Sequence, residues 1–387
     1  MQLVVQPSFD RIPAEAWDAL VGADHPFVEH AFLLGLERTG CVGGKTGWQP
    51  APLLVVPDGV AVDPLPPDVE LLGAAPAYLK ADSMGEFIFD FAWADFHHRN
   101  GQRYYPKVVV AAPFTPATGP RLLLRPGPHA DEVAALLAQG VLALATEVKA
   151  SSAHWLYTPE DQANLLEQQG YFRRATIQAL WLNPGYRDFE AFLATRKARI
   201  RKQIRRERRE IADSGFDVRV WTGPEMQDAE WQAIEHFYRE NIDRHGNEAY
   251  LNPAFFQWIR QHLAHRVVCT LARGPHGYVA GTLNFQKGGT LYGRYWGCVE
   301  PRPFLHFELA FYRLMEHCIA HGIERFEAGA GGEHKLQRGM EASVVHSAHW
   351  IAHPELALSI EQHVQRERAS VAEELAALDG TSTRRHD

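Results

Sequence analysis

The segment 326–339, FEAGAGGEHKLQRG, sets three glycines (Gly329, Gly331 and Gly332) ahead of Glu333, His334, Lys335 and Arg338. Without a Cβ, glycines let backbone N–H groups come close to an anion or a carbonyl oxygen. The polar residues behind them supply a base, a proton shuttle and two cations, and on a helical turn Lys335 and Arg338 would share a face. Moving an acyl group onto an amine needs such a set: a deprotonated amine, a polarised carbonyl, a proton returned to the leaving group, and water kept out. In isolation the same string also reads as a glycine-rich turn leading into a solvated polar helix start.

In 78–93, YLKADSMGEFIFDFAW, Phe87, Phe89 and Phe91 alternate with Glu86, Ile88 and Asp90. Period two predicts a strand with an aromatic core face and an opposite face carrying two carboxylates. With Lys80 and Asp82 just upstream, Glu86 and Asp90 form an ionisable cluster. Either carboxylate could hold an amine or act as base through a water, or the face pairs with Lys107 or a basic helix. The strand LYGRYWGC (291–298) is expected to put Tyr292, Arg294 and Trp296 on one face and Tyr295 on the other. An unpaired arginine among aromatic neighbours is costly. Arg294 therefore reads as a bidentate clamp for a carboxylate or phosphate, or as a partner of Glu308 or Glu327. Tyr292 or Tyr295 could return a proton to a leaving thiolate, or simply fill core. His306 and Glu308 flank Phe307 at a predicted helix start, where the dipole suits phosphate and, equally, an acidic first turn. His346 and His349 have opposite strand parity, and no Glu or Cys at ligand spacing completes a set, so no metal is expected.

Net charge is −8, against a general nucleic-acid coat, yet RKARIRKQIRRERR (196–209) carries nine cations and one carboxylate, Glu207. Leu193, Ile200, Ile204 and Ile211 recur at seven, four and seven, predicting a helix over 188–212 with one thin buried stripe. Like charges at i, i+4 repel, so the strip either stays solvated or gains from an anionic partner: cofactor phosphates, a nucleotide-linked substrate or an RNA end. Arg201 and Arg205 are the expected contacts to the donor cofactor, together with the three glycines, whose part is close backbone approach to substrate or to a neighbouring strand.

These groups need elements to position them. A chain of 387 residues, 46% hydrophobic and 11% aromatic, is long enough for two globular domains. Its four cysteines (Cys41, Cys269, Cys298, Cys318) show no paired spacing, which predicts a reducing compartment. No basic n-region with an apolar run opens the chain and no stretch approaches a membrane span, so a cytoplasmic location is expected. A hairpin is predicted around the Pro-Asp-Gly turn in 50–63. LNPGY (182–186) interrupts the mixed helix–strand rhythm and is the expected boundary between an N-terminal domain (1–185) and a C-terminal one (186–378). Residues 379–387 are expected to be disordered.

Eight strings, in order, carry a resemblance: HPFVEHAFLLGLE (25–37), YLKADSMGEFIFDFAWAD (78–95), YYPKVVVAAPFTPATGPRLL (104–123), RKQIRRER (201–208), LYGRYWGC (291–298), LHFE (305–308), FEAGAGGEHKLQRG (326–339) and HSAHW (346–350). Over about 25–350 the chain resembles the FemAB-like group of the GNAT acyltransferase superfamily, the bacterial "peptidoglycan biosynthesis/recognition" proteins. The resemblance implies an α+β fold of two tandem GNAT-like domains, mixed sheets flanked by helices, sharing a cleft. It implies acyl transfer to an amine of a small or cell-wall-related acceptor, from an acyl-CoA or an aminoacyl-tRNA whose acceptor end the cationic strip could track. Lys335 falls where FemAB-type transferases carry a lysine near the reacting carbonyl. In two places the chain departs from the pattern. Asp82 stands where the family has a histidine, and EPRPFL (300–305) replaces the GNAT pyrophosphate loop. Both departures also suit a protein that binds a peptidoglycan precursor without catalysis.

Overall fold

The computed structural model describes residues 1–246, 248–330, 333–380 and 383–384. In chain order the strands are β1 (Gln2–Val5), β2 (Trp48–Pro50), β3 (Leu53–Val56), β4 (Gly73–Ala75), β5 (Ala77–Lys80), β6 (Lys107–Val110), β7 (Leu123–Leu124) and β8 (Ser152–Thr158). They continue as β9 (Phe172–Leu182), β10 (Asp217–Thr222), β11 (Val267–Gly274), β12 (Gly277–Lys287), β13 (Thr290–Cys298), β14 (Arg325–Ala330) and β15 (Glu341–Ile351). Two compact units result. One is Met1–Thr176 with Val344–Glu374, the other Ile177–Ser343 with Leu375–Asp387. The chain leaves the first unit within β9 and re-enters it within β15, so the units are not contiguous halves.

In the first unit, β1, β3, β4 and β7 form an antiparallel sheet. A second sheet joins β2, β5 and β6 antiparallel, β6 and β8 parallel, and β8 with 346–351 of β15 antiparallel. Strand β6 reads KVVV and is buried throughout, as suits a strand covered on both faces. The helix Ala130–Glu147 buries Val133, Leu137, Val141 and Leu144, one side of a 3.6-residue period, against Leu53, Val55, Val108 and Val110. Each such side chain contributes about 1.5–3 kcal/mol on burial.

In the second unit β10 to β13 form an antiparallel meander. Strand β14 joins β13 in parallel and pairs on its other side with 178–182 of β9. The helix Asp228–Arg244 lies so close to β13 that a Cβ on Gly297 would stand 1.9 Å from Phe237 O. Trp181, Phe192, Ile200, Ile204, Leu291 and Phe326 belong to one core cluster.

Several expectations are corrected. The 78–93 segment is strand only to Lys80; the helix Phe91–Arg99 follows an irregular stretch. Its faces are reversed: Phe89 and Phe91 are 64% and 48% exposed, whereas Glu86 and Asp90 are each 4% exposed. Gly59 makes the predicted turn, but no second arm follows; β3 pairs with β1 and β4 instead. The basic helix is two helices, Phe189–Ala194 and Ala198–Ala212. Ile200, Ile204 and Ile211 form the buried stripe of the second, and Leu193 is buried from the first. Within the expected tail, Thr383 O accepts from Lys197 N at 2.9 Å and Arg384 bridges to Arg196; 381–382 and 385–387 lie outside the described residues.

Candidate functional site

In the first unit the irregular stretch 81–90 is held by its carbonyls. Met84 O accepts from Trp48 Nε1 and Lys80 Nζ, Phe87 O from Tyr157 OH, and Phe89 O from Arg174. Phe87 and Tyr157 both take left-handed backbone angles (φ 62° and 58°), unfavourable for bulky residues and sustained only by surrounding constraint. The stretch turns its carboxylates inward onto Lys107, whose Nζ lies 2.9 Å from Glu86 Oε2 and 2.5 Å from Asp90 Oδ2. Burial pushes Glu86 up to about 7, with Lys107 opposing. Burial acts the same way on Asp90, but Lys107 and the donors around it prevail and hold it low. Burial disfavours charge on Lys107, yet the two carboxylates outweigh it and raise its pKa. Asp82 accepts from Lys80 at 2.9 Å and from Met84 N at 2.8 Å, so this departure from the family pattern has a task inside the loop. Lys80 sits 4.1 Å over the Trp48 ring, and burial lowers its pKa.

Beyond Asp90, Tyr104 OH donates to Asp90 at 2.6 Å and lies 3.3 Å from His154 Nε2. His154 and His349 meet Nδ1 to Nδ1 at 2.7 Å, and the remaining nitrogen of each lies 2.8 Å from its own Ser152 or Ser347 hydroxyl. Burial holds both imidazoles well below their usual pKa, so both are neutral. Sequence reasoning missed this pair. A signal was present: the tetrapeptide SAHW occurs at 152–155 and again at 347–350, on strands that pair His154 with His349.

In the second unit the parallel register of β13 and β14 joins Thr290–Tyr292 to Arg325–Glu327. Past its end lies a cavity of about 360 Å³, lined among others by Arg294, Trp296, Ala328, His306, His334 and Lys335. Arg294 is the extra residue of a bulge: Tyr295 faces Leu283 and Gly293 faces Asn284. Bulges re-aim side chains, and here Gly293 through Trp296 all reach the cavity. Strict alternation is thus corrected, and Tyr292, 3% exposed, does not line the cavity. The Arg294 guanidinium packs 5.0 Å from the Tyr295 ring and donates to its hydroxyl at 3.2 Å.

Lys335 Nζ donates to Ala328 O at 2.8 Å and Gly329 O at 2.9 Å, and burial lowers it to about 8. Gly329 takes φ +77°, which glycine adopts without strain. Burial, with His334, Lys335 and Arg338 nearby, lowers His306 to about 4; burial and the same two cations lower His334. Both imidazoles are therefore neutral near pH 7, and His334 Nε2 is buried without a hydrogen-bond partner among the described residues. Lys335 and Arg338 do not act as a pair: Arg338 turns away to Glu207, Nη2 to Oε1 at 2.8 Å. His306 and Glu308 also part, since Glu308 is held by Arg208 and Arg313. Glu308 opens a π-helical stretch, Glu308–Tyr312, that leads into the α-helix Arg313–Ala320. Gly331, Gly332 and the side chain of Glu333 lie outside the described residues.

On the outer side of the helix Ala198–Ala212, Arg201, Lys202, Arg205, Arg206 and Arg209 line a groove of about 400 Å³. Arg205 also pairs with Glu190 at 2.5 Å, and Arg201 donates to Arg196 O at 2.6 Å. Among the described residues, no group of three or more His, Cys, Asp or Glu could hold a metal ion, and no helix is long and apolar enough to cross a membrane.

The model of the FemAB-like family, described as peptidoglycan biosynthesis/recognition, matches residues 8–386. The fold is similar to that of FemX, with a TM-score of 0.56 at 13% identity, over 93% of this chain and 100% of that one. It is also similar to the C-terminal DUF2156 domain of a protein from Agrobacterium fabrum described as a lysylphosphatidylglycerol synthetase, with a TM-score of 0.52 at 12% identity, over 92% and 95% of the two chains. No curated protein matches significantly in sequence. The fold class is two mixed α/β units, with the chain of the second interrupting that of the first.

Proposed function

The chain belongs to the FemAB-like family, and from that membership we propose that it is an N-acyltransferase, moving an acyl or aminoacyl group onto an amine of a small or cell-wall-related acceptor. The family description supports the acceptor class. The reaction itself rests on one observation: a buried lysine with a lowered pKa in the cavity past the paired residues of β13 and β14, beside two neutral imidazoles and an arginine. In the attack, the acceptor nitrogen bonds to the donor's carbonyl carbon and the C–O or C–S bond to the leaving group breaks. The ammonium proton passes to the leaving oxygen or sulfur. Lys335, fixed by two backbone carbonyls, offers positive charge to the carbonyl oxygen as it becomes an oxyanion. His306 and His334 are unprotonated and can relay the amine's proton. Arg294, aimed into the cavity by the bulge, suits an anionic substrate group. Glu86 and Asp90, committed to Lys107, serve the architecture of the first unit in this reading.

The donor is an acyl-CoA or an aminoacyl-tRNA, and the groove of five cations favours the RNA. A flexible polyanion can follow such a strip, whereas the usual pyrophosphate loop is replaced by EPRPFL. Labelled acyl-CoAs and aminoacyl-tRNAs, offered with amine acceptors including muropeptide precursors, should yield an amide with one donor class. Lys335→Ala should fold and lose at least about 100-fold in rate. Absence of amide from every donor, or a Lys335→Ala enzyme of near wild-type rate, would overturn this assignment.

A further inference from the structure

The one carboxylate of the cationic run stands in its buried stripe, three residues after Ile204 and four before Ile211, and its side chain is 1% exposed. All of its hydrogen-bonding is internal. Glu207 Oε1 accepts from Arg338 Nη2 at 2.8 Å and Gln203 Nε2 at 3.0 Å; Oε2 accepts from Arg338 Nε at 3.1 Å and from Tyr312 OH. The guanidinium thus held lies 3.3 Å over the Phe307 ring and donates from Nη1 to His334 O at 2.8 Å. Arg338 N donates to Lys335 O at 3.0 Å. One fork therefore fixes both ends of the turn 334–338, whose Lys335 reaches the carbonyls of β14.

A buried ion pair is weak evidence for stability, because apolar residues of similar volume often pack there at no loss. What a bidentate fork adds is direction: the planar guanidinium is set in one orientation. We infer that Glu207 is the positioning residue of the candidate pocket, fixing through Arg338 the turn that carries His334 and Lys335. It rests on that pocket being the reactive site, and it extends the role of the basic helix. The helix that offers cations to the donor on its outer side holds the reactive lysine from its inner one.

The test is the double variant Glu207→Met/Arg338→Met, which replaces both members of the pair at once. Its readout is the titration of Lys335, followed by NMR of ¹³C-dimethylated lysines assigned with Lys335→Arg. Arg294, Tyr295, His306 and His334 are the other charged or titratable groups of this pocket. In the wild type Lys335 should titrate near 8. In the folded double variant the released turn should move it upward, toward the ordinary lysine value, and kcat should fall by about 100-fold with KM nearly unchanged. An unmoved Lys335 titration in the folded variant overturns the inference. If the double variant does not fold, Glu207→Gln, which keeps the shape, is read by the same criterion. The titration needs no substrate, so it tests the positioning role even where no amide product is found.

Discussion

Lys335 holds its proton less tightly in the folded chain than in the unfolded one. Burial lowers its folded pKa to about 8, below the value near 10.4 of a solvated lysine. Between these values the folded protein binds fewer protons than the unfolded one, so stability contributed through this group rises with pH across that window. Urea denaturation should show the wild type gaining on Lys335→Met between pH 8 and 10; parallel curves would remove the burial account. If the charged form polarises the carbonyl, turnover should fall above pH 8, and Lys335→Arg should lack that fall. In the first unit Lys107 compensates two buried carboxylates at once. Lys107→Met should cost about 3–5 kcal/mol, because breaking a buried pair leaves uncompensated charge. A urea midpoint within error of wild type would contradict this.

At the scale of elements, the cationic helix should report on its ligand through salt. Arg201→Glu/Arg205→Glu should weaken a bound aminoacyl-tRNA and reduce the slope of log K against log salt by about 1.4, at about 0.7 per single-strand phosphate contact. An unchanged slope would place the RNA elsewhere. The close approach of β13 to the helix Asp228–Arg244 makes a second prediction: Gly297→Ala should cost about 1–3 kcal/mol in chemical denaturation, since backbone rather than a flexible side chain meets the new methyl. Legibility varied with how local the determining forces were. Strand β13 was readable from LYGRYWGC, and the helix Ala198–Ala212 because Ile200, Ile204 and Ile211 recur at helical spacing along it. The stretch 81–90 was not, although its alternation was regular. Trp48, Tyr157 and Arg174, distant in sequence, capture its carbonyls, and Lys107 draws in the carboxylates. The cavity lining was half legible: Arg294, His306, His334 and Lys335 stood out by type, but the bulge that aims Arg294 leaves no mark in the residue pattern.

For the whole molecule the discriminating measurement is thermal stability against candidate ligands. A donor present at a hundred times its Kd should stabilise the native protein by about 2.7 kcal/mol. Aminoacyl-tRNA should raise Tm more than any acyl-CoA; a shift with acyl-CoA alone would reverse the preference drawn from the basic groove. The order in which the chain visits its two units has a further consequence, during synthesis. Strand β8 pairs with β15 through residues as late as Ile351, and 344–374 complete the first unit. While the ribosome is still making the second unit, the first presents an unpaired strand edge in β8, a place where nascent chains associate wrongly. Release of the last strand is therefore the step at which this protein escapes aggregation, and a chain ending before Val344 should accumulate as insoluble material however well its second unit folds.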